Sequence, residues 1–301
     1  MKIQTIAALT DFSTHAEYAL DRAALLAAKH QAQLILVYGN ETPDPQFVSP
    51  QARLEQRARQ LARRHQIDVK TRDWQPEDGG SVAERALWAA VGADLLVISR
   101  RMERDWTRFW QGSTLAYCLR HSRCPVLVVQ QRAPDNYERM MISVDGSRAS
   151  QHLVQYAGHL LQSAQVDLYQ APTTEQPMLS ECDASTLALY KDVLPRPPAN
   201  RRRLRVRDSF DARRNRVDMH LGTRDMARQL MVQQQRSHAD LLVVGKLRSG
   251  WLERQTFLSQ VQRLLGMVSC DVLVSTQPSR RRPQEPKARR SAFPGEQRLT
   301  A

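Results

Sequence analysis

The 301-residue sequence predicts an α/β protein built of two tandem, doubly wound parallel-sheet domains. Three observations carry that prediction. The chain repeats itself: Ala93-Asp94-Leu95-Leu96-Val97 returns letter for letter as Ala239-Asp240-Leu241-Leu242-Val243, and Cys124-x-Val126-Leu127-Val128 returns as Cys270-x-Val272-Leu273-Val274. Both pairs lie 146 residues apart (239 − 93 and 270 − 124), while Asp11-Phe12-Ser13 and Asp145-Gly146-Ser147 lie 134 apart (145 − 11). A period of that size means duplicated globular domains and not a solenoid. Second, short apolar runs alternate with helical patterns. Third, the apolar runs are near-continuous Val, Leu and Ile, which need cover on both faces of a parallel sheet.

The elements follow in order. Ile3 to Leu9 reads as a strand, and Ala16 to Lys29 as a helix with Ala19, Leu20, Ala23, Ala24 and Ala27 on one face. Leu34 to Tyr38 is a second strand, Arg53 to His65 an Arg-rich amphipathic helix, and Asp68 to Arg72 a third strand ahead of Gly79-Gly80. A helix from Val82 to Ala90 leads to the strand Asp94 to Ile98. Gly112 to His121 is helical, and Val126 to Gln130 closes the first repeat. The second repeat opens with Met140 to Val144, a helix from Ala149 to Leu161 and the strand Val166 to Tyr169. Its third strand is expected at Val217 to Leu221, because Gly222 follows it as glycine follows the third strand of repeat one. The arginine run Arg201 to Arg216 would then be the second helix, and the alternative puts the strand at Leu204 to Arg207. The repeat resumes with a helix at Arg224 to Gln235 and a strand at Asp240 to Gly245.

This organisation divides the chain into residues 1–133, residues 134–277 with an irregular stretch at 171–221, and a tail at 278–301. The length suits two domains of about 100–150 residues. Hydrophobic content of 42% and charged content of 25% are those of a globular protein. No apolar run reaches the roughly 18 residues of a membrane span. The N-terminus lacks the pattern of a secretory signal, so a cytoplasmic location is expected. The four cysteines, Cys118, Cys124, Cys182 and Cys270, have no metal-ligand spacing and read as buried small apolar residues. The eight histidines show no zinc spacing either, so no metal site is expected.

Charge is unevenly placed. The net +13 divides as 18 − 14 = +4 for residues 1–133, 19 − 15 = +4 for 134–277 and 7 − 2 = +5 for 278–301. The tail is rich in Pro and Arg and cannot bury enough surface to order itself. It is read as a disordered basic tail, either simply solvated or a weak binder of an anionic surface such as nucleic acid.

In an open parallel sheet, ligands sit beyond the carboxyl ends of the strands where strand order reverses. Two loops per repeat are therefore candidates. The loop after the first strand holds Asp11 or Asp145; such a carboxylate can accept from a base or hydroxyl, or cap the following helix. The loop after the fourth strand would have to cradle phosphate with glycines and a helix N-terminus. Repeat one ends that loop with Gly112-Ser113-Thr114 after a bulky stretch without glycine. Repeat two begins it with Gly245 but reaches Leu258-Ser259 without a final glycine.

These features resemble the universal stress protein family, in tandem form. The resemblance rests on "LTDFS" followed by a helix, on "ADLLVIS" and "ADLLVVG", and on "GSTLAYCLRHSRCPVLVV" closing repeat one; it covers residues 1–277 and fits least at 171–221. It implies a five-stranded, Rossmann-like sheet of the adenine nucleotide alpha hydrolase kind in each repeat. It also implies pairing of the two last strands as an internal pseudo-dimer, with a homodimer as a further possibility. Nucleotide-binding members carry Gly-x2-Gly-x9-Gly-Ser/Thr. Repeat one has Ser99, Met102, Gly112 and Ser113 at those places, and repeat two has Gly245, Arg248, Leu258 and Ser259. Asp11 and Asp145 match the family's base-contacting aspartate. The candidate nucleotide residues are thus Asp11, Gly112, Ser113, Thr114, Asp145, Gly245 and Ser259, with no catalytic residue. Both loops are degenerate. The expected function is that of a non-catalytic, cytoplasmic stress-response protein that binds or regulates. The alternatives are an ATP-binding, slowly hydrolysing stress protein using repeat one, and a nucleic-acid-associated basic protein resting on the tail and Arg201 to Arg216. No P-loop of the Gly-x4-Gly-Lys-Ser/Thr type and no nucleophile–base constellation speaks for an enzyme.

Overall fold

The computed structural model describes residues 2–39, 49–72, 81–100, 114–132, 136–144, 148–162, 164–170, 190, 193, 204–208, 226–245 and 251–275. Gly112, Ser113, Asp145, residues 217–221, the rest of the Arg201–Arg216 run and the tail 278–301 lie outside them. Among the described residues no helix is long and apolar enough to cross a membrane.

Repeat one runs β1 (Thr5–Thr10), α1 (Thr14–His30), β2 (Gln33–Tyr38), α2 (Pro50–His65), β3 (Val69–Arg72), α3 (Val82–Ala89), β4 (Leu95–Ser99), α4 (Thr114–His121) and β5 (Val126–Val129). Repeat two runs β6 (Arg139–Val144), α5 (Arg148–Leu160), β7 (Gln165–Gln170), β8 (Leu204–Asp208), α6 (Met226–Ser237), β9 (Leu241–Gly245), α7 (Trp251–Met267) and β10 (Asp271–Ser275). The alternation of strand and helix is that of a doubly wound α/β fold.

All ten strands join one sheet in the order β3-β2-β1-β4-β5-β10-β9-β6-β7-β8. Pairing is parallel everywhere except at the centre, where β5 and β10 run antiparallel with Leu127 opposite Leu273. Each repeat therefore contributes five strands, and strand order reverses between β1 and β4 and between β6 and β9. One face is packed by α1 and α5 over Ile6, Ala8, Leu95, Val97, Leu127, Ile142 and Val243. The other carries Ala7, Leu96, Val128, Leu242 and Val272 under α3, α4, α6 and α7. Each apolar layer runs through both repeats without a break.

The repeated Asp of Ala-Asp-Leu-Leu-Val has a structural task at the amino ends of the strands. Asp94 accepts backbone N–H bonds from Gln4 at 2.7 Å and Thr5 at 3.0 Å. Asp240 does the same for Glu138 at 2.6 Å and Arg139 at 3.1 Å. Each carboxylate thereby satisfies amides where the first strand of its repeat enters the sheet, which an apolar side chain would leave orphaned.

One expectation is corrected. The third strand of repeat two is β8 at Leu204–Asp208, paired with β7 in the register Val166↔Leu204 to Gln170↔Asp208. This is the alternative placement, not Val217–Leu221, and it puts a strand inside the arginine run read as a helix. The reason is position: β8 is an outer strand, like β3 at the other end. Alternating Leu-Arg-Val-Arg suits such an edge, because charged residues discourage pairing with a further chain.

Candidate functional site

The candidate cleft of repeat one lies at the carboxyl ends of β1 and β4. After β1 the chain turns through a set of local bonds. Thr10 Oγ1 accepts from the Phe12 amide at 3.0 Å, and Asp11 Oδ1 accepts from the Ser13 amide at 3.0 Å. Ser13 then caps α1, its Oγ accepting from the Ala16 amide at 3.3 Å. The cap is Ser13; Asp11 braces the loop with one carboxylate oxygen and stands partly exposed beside the strand end. Phe12 adopts a left-handed φ of 63°, which turns the chain sharply enough to place Asp11 there.

Aromatic packing holds that turn. The Phe12 ring stacks on Tyr38 at 4.9 Å between centroids, and the Arg53 guanidinium sits 4.7 Å above it. Gly39 follows β2, its amide bonded to the Thr10 carbonyl at 2.9 Å. A Cβ at Gly39 would meet Val82 Cγ1 at 2.6 Å, so glycine lets α3 start close against the strand ends. Ser81 caps α3 in a reciprocal box with Glu84.

The β4 side is built differently. Ser99 ends the strand, and Arg100 turns away from the cleft toward the other repeat. Its guanidinium donates to Gln130 Oε1 at 2.8 Å and to the carbonyl of Leu265 in the last turn of α7. Thr114 opens α4, where helix geometry leaves amides without intrahelical acceptors. Asp11 follows β1 and Thr114 opens α4, while Gly112 and Ser113 lie outside the described residues.

Repeat two departs from this plan. α7 begins at Trp251, with five residues (246–250) between it and Gly245. Leu258 and Ser259, expected at a helix start, lie inside α7 instead. Leu258 is a buried core residue and Ser259 is partly buried. Amides in a helix interior are committed to the i−4 carbonyls and cannot hold an anion. Gly245 is explained by packing: a Cβ there would meet Leu153 Cδ2 of α5 at 2.7 Å. Asp145 lies outside the described residues.

Some structurally important groups had no sequence signal. Arg22, in α1, lies 3.7 Å from Asp271 and 4.0 Å over the Tyr137 ring, and Tyr137 donates to Asp271 at 2.5 Å. Asp271 also accepts from the Gln130 amide at 2.9 Å. Burial raises the Asp271 pKa above the ordinary carboxylate range, while Tyr137, Gln130 and Arg22 oppose that rise. Arg22 lies 115 positions from Tyr137 (137 − 22), and every partner of Asp271 is at least 134 positions from it (271 − 137), so neither spacing nor periodicity announces them. Among the described residues no three His, Cys, Asp or Glu side chains gather as a metal site. Burial pushes the Cys118 and Cys270 thiols up to about 12 and the Cys124 thiol to about 11, which leaves little thiolate for chemistry near neutral pH.

The model of the universal stress protein family matches twice, over residues 2–130 and 136–276. A universal stress protein from Archaeoglobus fulgidus DSM 4304 superposes with a TM-score of 0.64 at 11% identity, covering 92% of this chain and 97% of that one. A functionally unknown protein from Pseudomonas aeruginosa PAO1 gives a TM-score of 0.56 at 20% identity, with 91% and 92% covered. At these identities the structural likeness speaks for the fold. No curated protein sequence matches significantly.

Proposed function

Because the chain belongs to the universal stress protein family through both of its repeats, we propose that it is a non-catalytic stress-response protein acting by binding or regulation. In this reading its nucleotide loops are degenerate, and the carboxyl-end cleft of repeat one is the candidate place for any small ligand. The observation that carries it is the course of α7. Where nucleotide-binding members have their last phosphate glycine, repeat two has Leu258, buried inside a helix. Repeat two then serves as the structural half of an internal pseudo-dimer.

The second reading is ATP binding in repeat one, with slow hydrolysis as its enzymatic form. It is supported by Asp11 beside the end of β1 and by Gly112-Ser113-Thr114 ahead of or opening α4. Against it, Ser99 and Met102 carry side chains where the family pattern has glycine. A cytoplasmic setting belongs to the same proposal and accords with the free thiols of Cys118, Cys124 and Cys270. A homodimer would have to use a surface other than β5 and β10, which already pair with each other.

Calorimetry of the full chain with ATP and Mg²⁺ separates the readings. The expected result is no binding at micromolar concentrations and no phosphate release above buffer. Micromolar or tighter binding would overturn the degenerate-loop reading in favour of the second. That binding should then be at most one per chain and should vanish in Asp11→Ala combined with Gly112→Val. Persistence in the double variant would place the nucleotide outside the repeat-one cleft.

A further inference from the structure

Helix α2 has an outward face whose charge the proposed ligand cleft does not use. The helix buries Leu54, Ala58 and Leu61 and carries five arginines, Arg53, Arg57, Arg59, Arg63 and Arg64, against one acid, Glu55. The flank toward α1 is locally neutralised. Arg57 pairs with Glu17 at 2.6 Å and Asp21 at 3.1 Å, and Arg64 reaches Asp21 at 4.0 Å. Arg59 and Arg63 stand on the other side of the helix, both exposed. They are four residues apart, so about 6 Å apart along the axis. At that spacing like charges repel; Glu55, four residues before Arg59, offsets part of that cost, and a bound anion would offset the rest.

The surroundings extend the positive field. Arg53 is exposed at the first turn of α2, its guanidinium anchored over Phe12. Lys70 is exposed on β3, the outermost strand of the sheet, against which α2 packs. Protection of the open sheet edge accounts for Lys70. It does not account for Arg59 and Arg63, which lie on the helix. All the cations of α2 apart from its terminal His65 are arginines, whose planar fork suits phosphate oxygens better than an ammonium does.

We propose that this face of α2 binds the phosphate backbone of a nucleic acid duplex without reading its sequence. The backbone is the polyanion that matches the neighbouring guanidinium groups of Arg59 and Arg63, with Arg53 at the first turn of the helix. The exposed residues of α2 include no aromatic ring on which a single-stranded base would stack, so a duplex fits better than an unpaired strand. The assignment places nucleic-acid affinity on an ordered helix of repeat one, apart from the tail 278–301 and the arginine run of repeat two. It does not depend on the ligand reading of the cleft.

The test is fluorescence titration of the full chain with a short labelled DNA duplex over a series of salt concentrations. The variants are Arg53→Gln/Arg59→Gln/Arg63→Gln, the same three positions as lysine, and a chain ending at residue 277. The glutamine variant is expected to lose about tenfold or more in affinity at moderate salt. Its log-affinity against log-salt slope should fall by about 2 to 3, near one unit per lost phosphate contact. The lysine variant should recover most of the slope, which separates charge loss from misfolding. The truncated chain should keep the part of the slope contributed by α2. The proposal is overturned if the wild-type chain fails to bind the duplex at low salt or if the glutamine variant binds with unchanged affinity and slope. It is also overturned if the lysine variant keeps the same low salt slope as the glutamine variant, or if poly-glutamate binds the same face as well as DNA does.

Discussion

His30 closes α1, yet its ring serves the other repeat: Nε2 lies 2.9 Å from the carbonyl of Leu160, at the end of α5. A carbonyl can only accept, so Nε2 carries the proton, and the bond covers one of the orphan acceptors at a helix C-terminus. Burial is the largest influence on His30 and lowers its pKa; the Leu160 bond opposes that and Lys29 adds to it. The folded state thus holds fewer protons on this ring than the unfolded chain does. Its contribution to stability is present above the unfolded pKa of 6.5 and is lost as pH falls through the lower folded value. His30→Gln keeps a donor but cannot titrate. Between pH 7 and 5 its stability, measured by urea unfolding, should fall less steeply than that of the wild-type chain. Parallel curves would remove His30 from the acid response. At neutral pH the lost ring packing and altered bond should cost about 1 kcal/mol.

At the scale of elements, the two repeats solve one packing problem with different volumes. Ser99 and Gly245 are equivalent by the 146-residue offset, and Ala19 and Leu153 by the 134-residue offset. Repeat two thus sets a large residue on its first helix against glycine, where the equivalent positions of repeat one hold alanine and serine. Gly245→Ala should cost about 1–2 kcal/mol by overpacking against Leu153. Leu153→Ala alone should cost about 2–4 kcal/mol through its cavity. The double variant should cost clearly less than the sum, since each change relieves the other. Additive costs in denaturant unfolding would show that the two residues do not share this space. Element positions were largely legible from periodicity, because burial on both faces demands apolar runs: β1, β2, β4, β5, β9 and β10 all lie where those runs do. The outer strand β8 was the misplaced one. Its alternating Leu-Arg-Val-Arg sequence leaves edge strand and basic helix both open, and pairing with β7 decides for the strand.

The whole molecule is held by one continuous sheet. β5 and β10 each meet an in-repeat neighbour on one side and the other repeat on the remaining side. Separated, β5 would present the buried row Val126, Leu127, Val128 and Val129 as an open edge. Around that seam lie the Arg22–Asp271–Tyr137 cluster, the Arg100 bond to Leu265 and the Tyr156 hydroxyl on the Asp94 carbonyl at 2.9 Å. Residues 1–133 expressed alone should therefore self-associate or aggregate, as read by sedimentation or light scattering. A well-behaved monomer of that fragment would show that the seam is dispensable.

The sequence by itself determined the duplication, the α/β class, the family and the departure of both fourth-strand loops from the Gly-x2-Gly-x9-Gly-Ser/Thr pattern. Each is written in local order: an exact repeat, an apolar period, or a glycine replaced by a bulkier residue. Tertiary structure decided the rest. It assigned Gly245 to helix packing by bringing Leu153 against it, buried Leu258 and drew Ser259 into a helix, and made Ser13 rather than Asp11 the cap of α1. It also turned Arg100 from the cleft to the seam. The physical reason is range: a repeat or a period is visible along the chain, whereas a steric contact or a hydrogen bond between residues a hundred positions apart exists only once the backbone has brought them together.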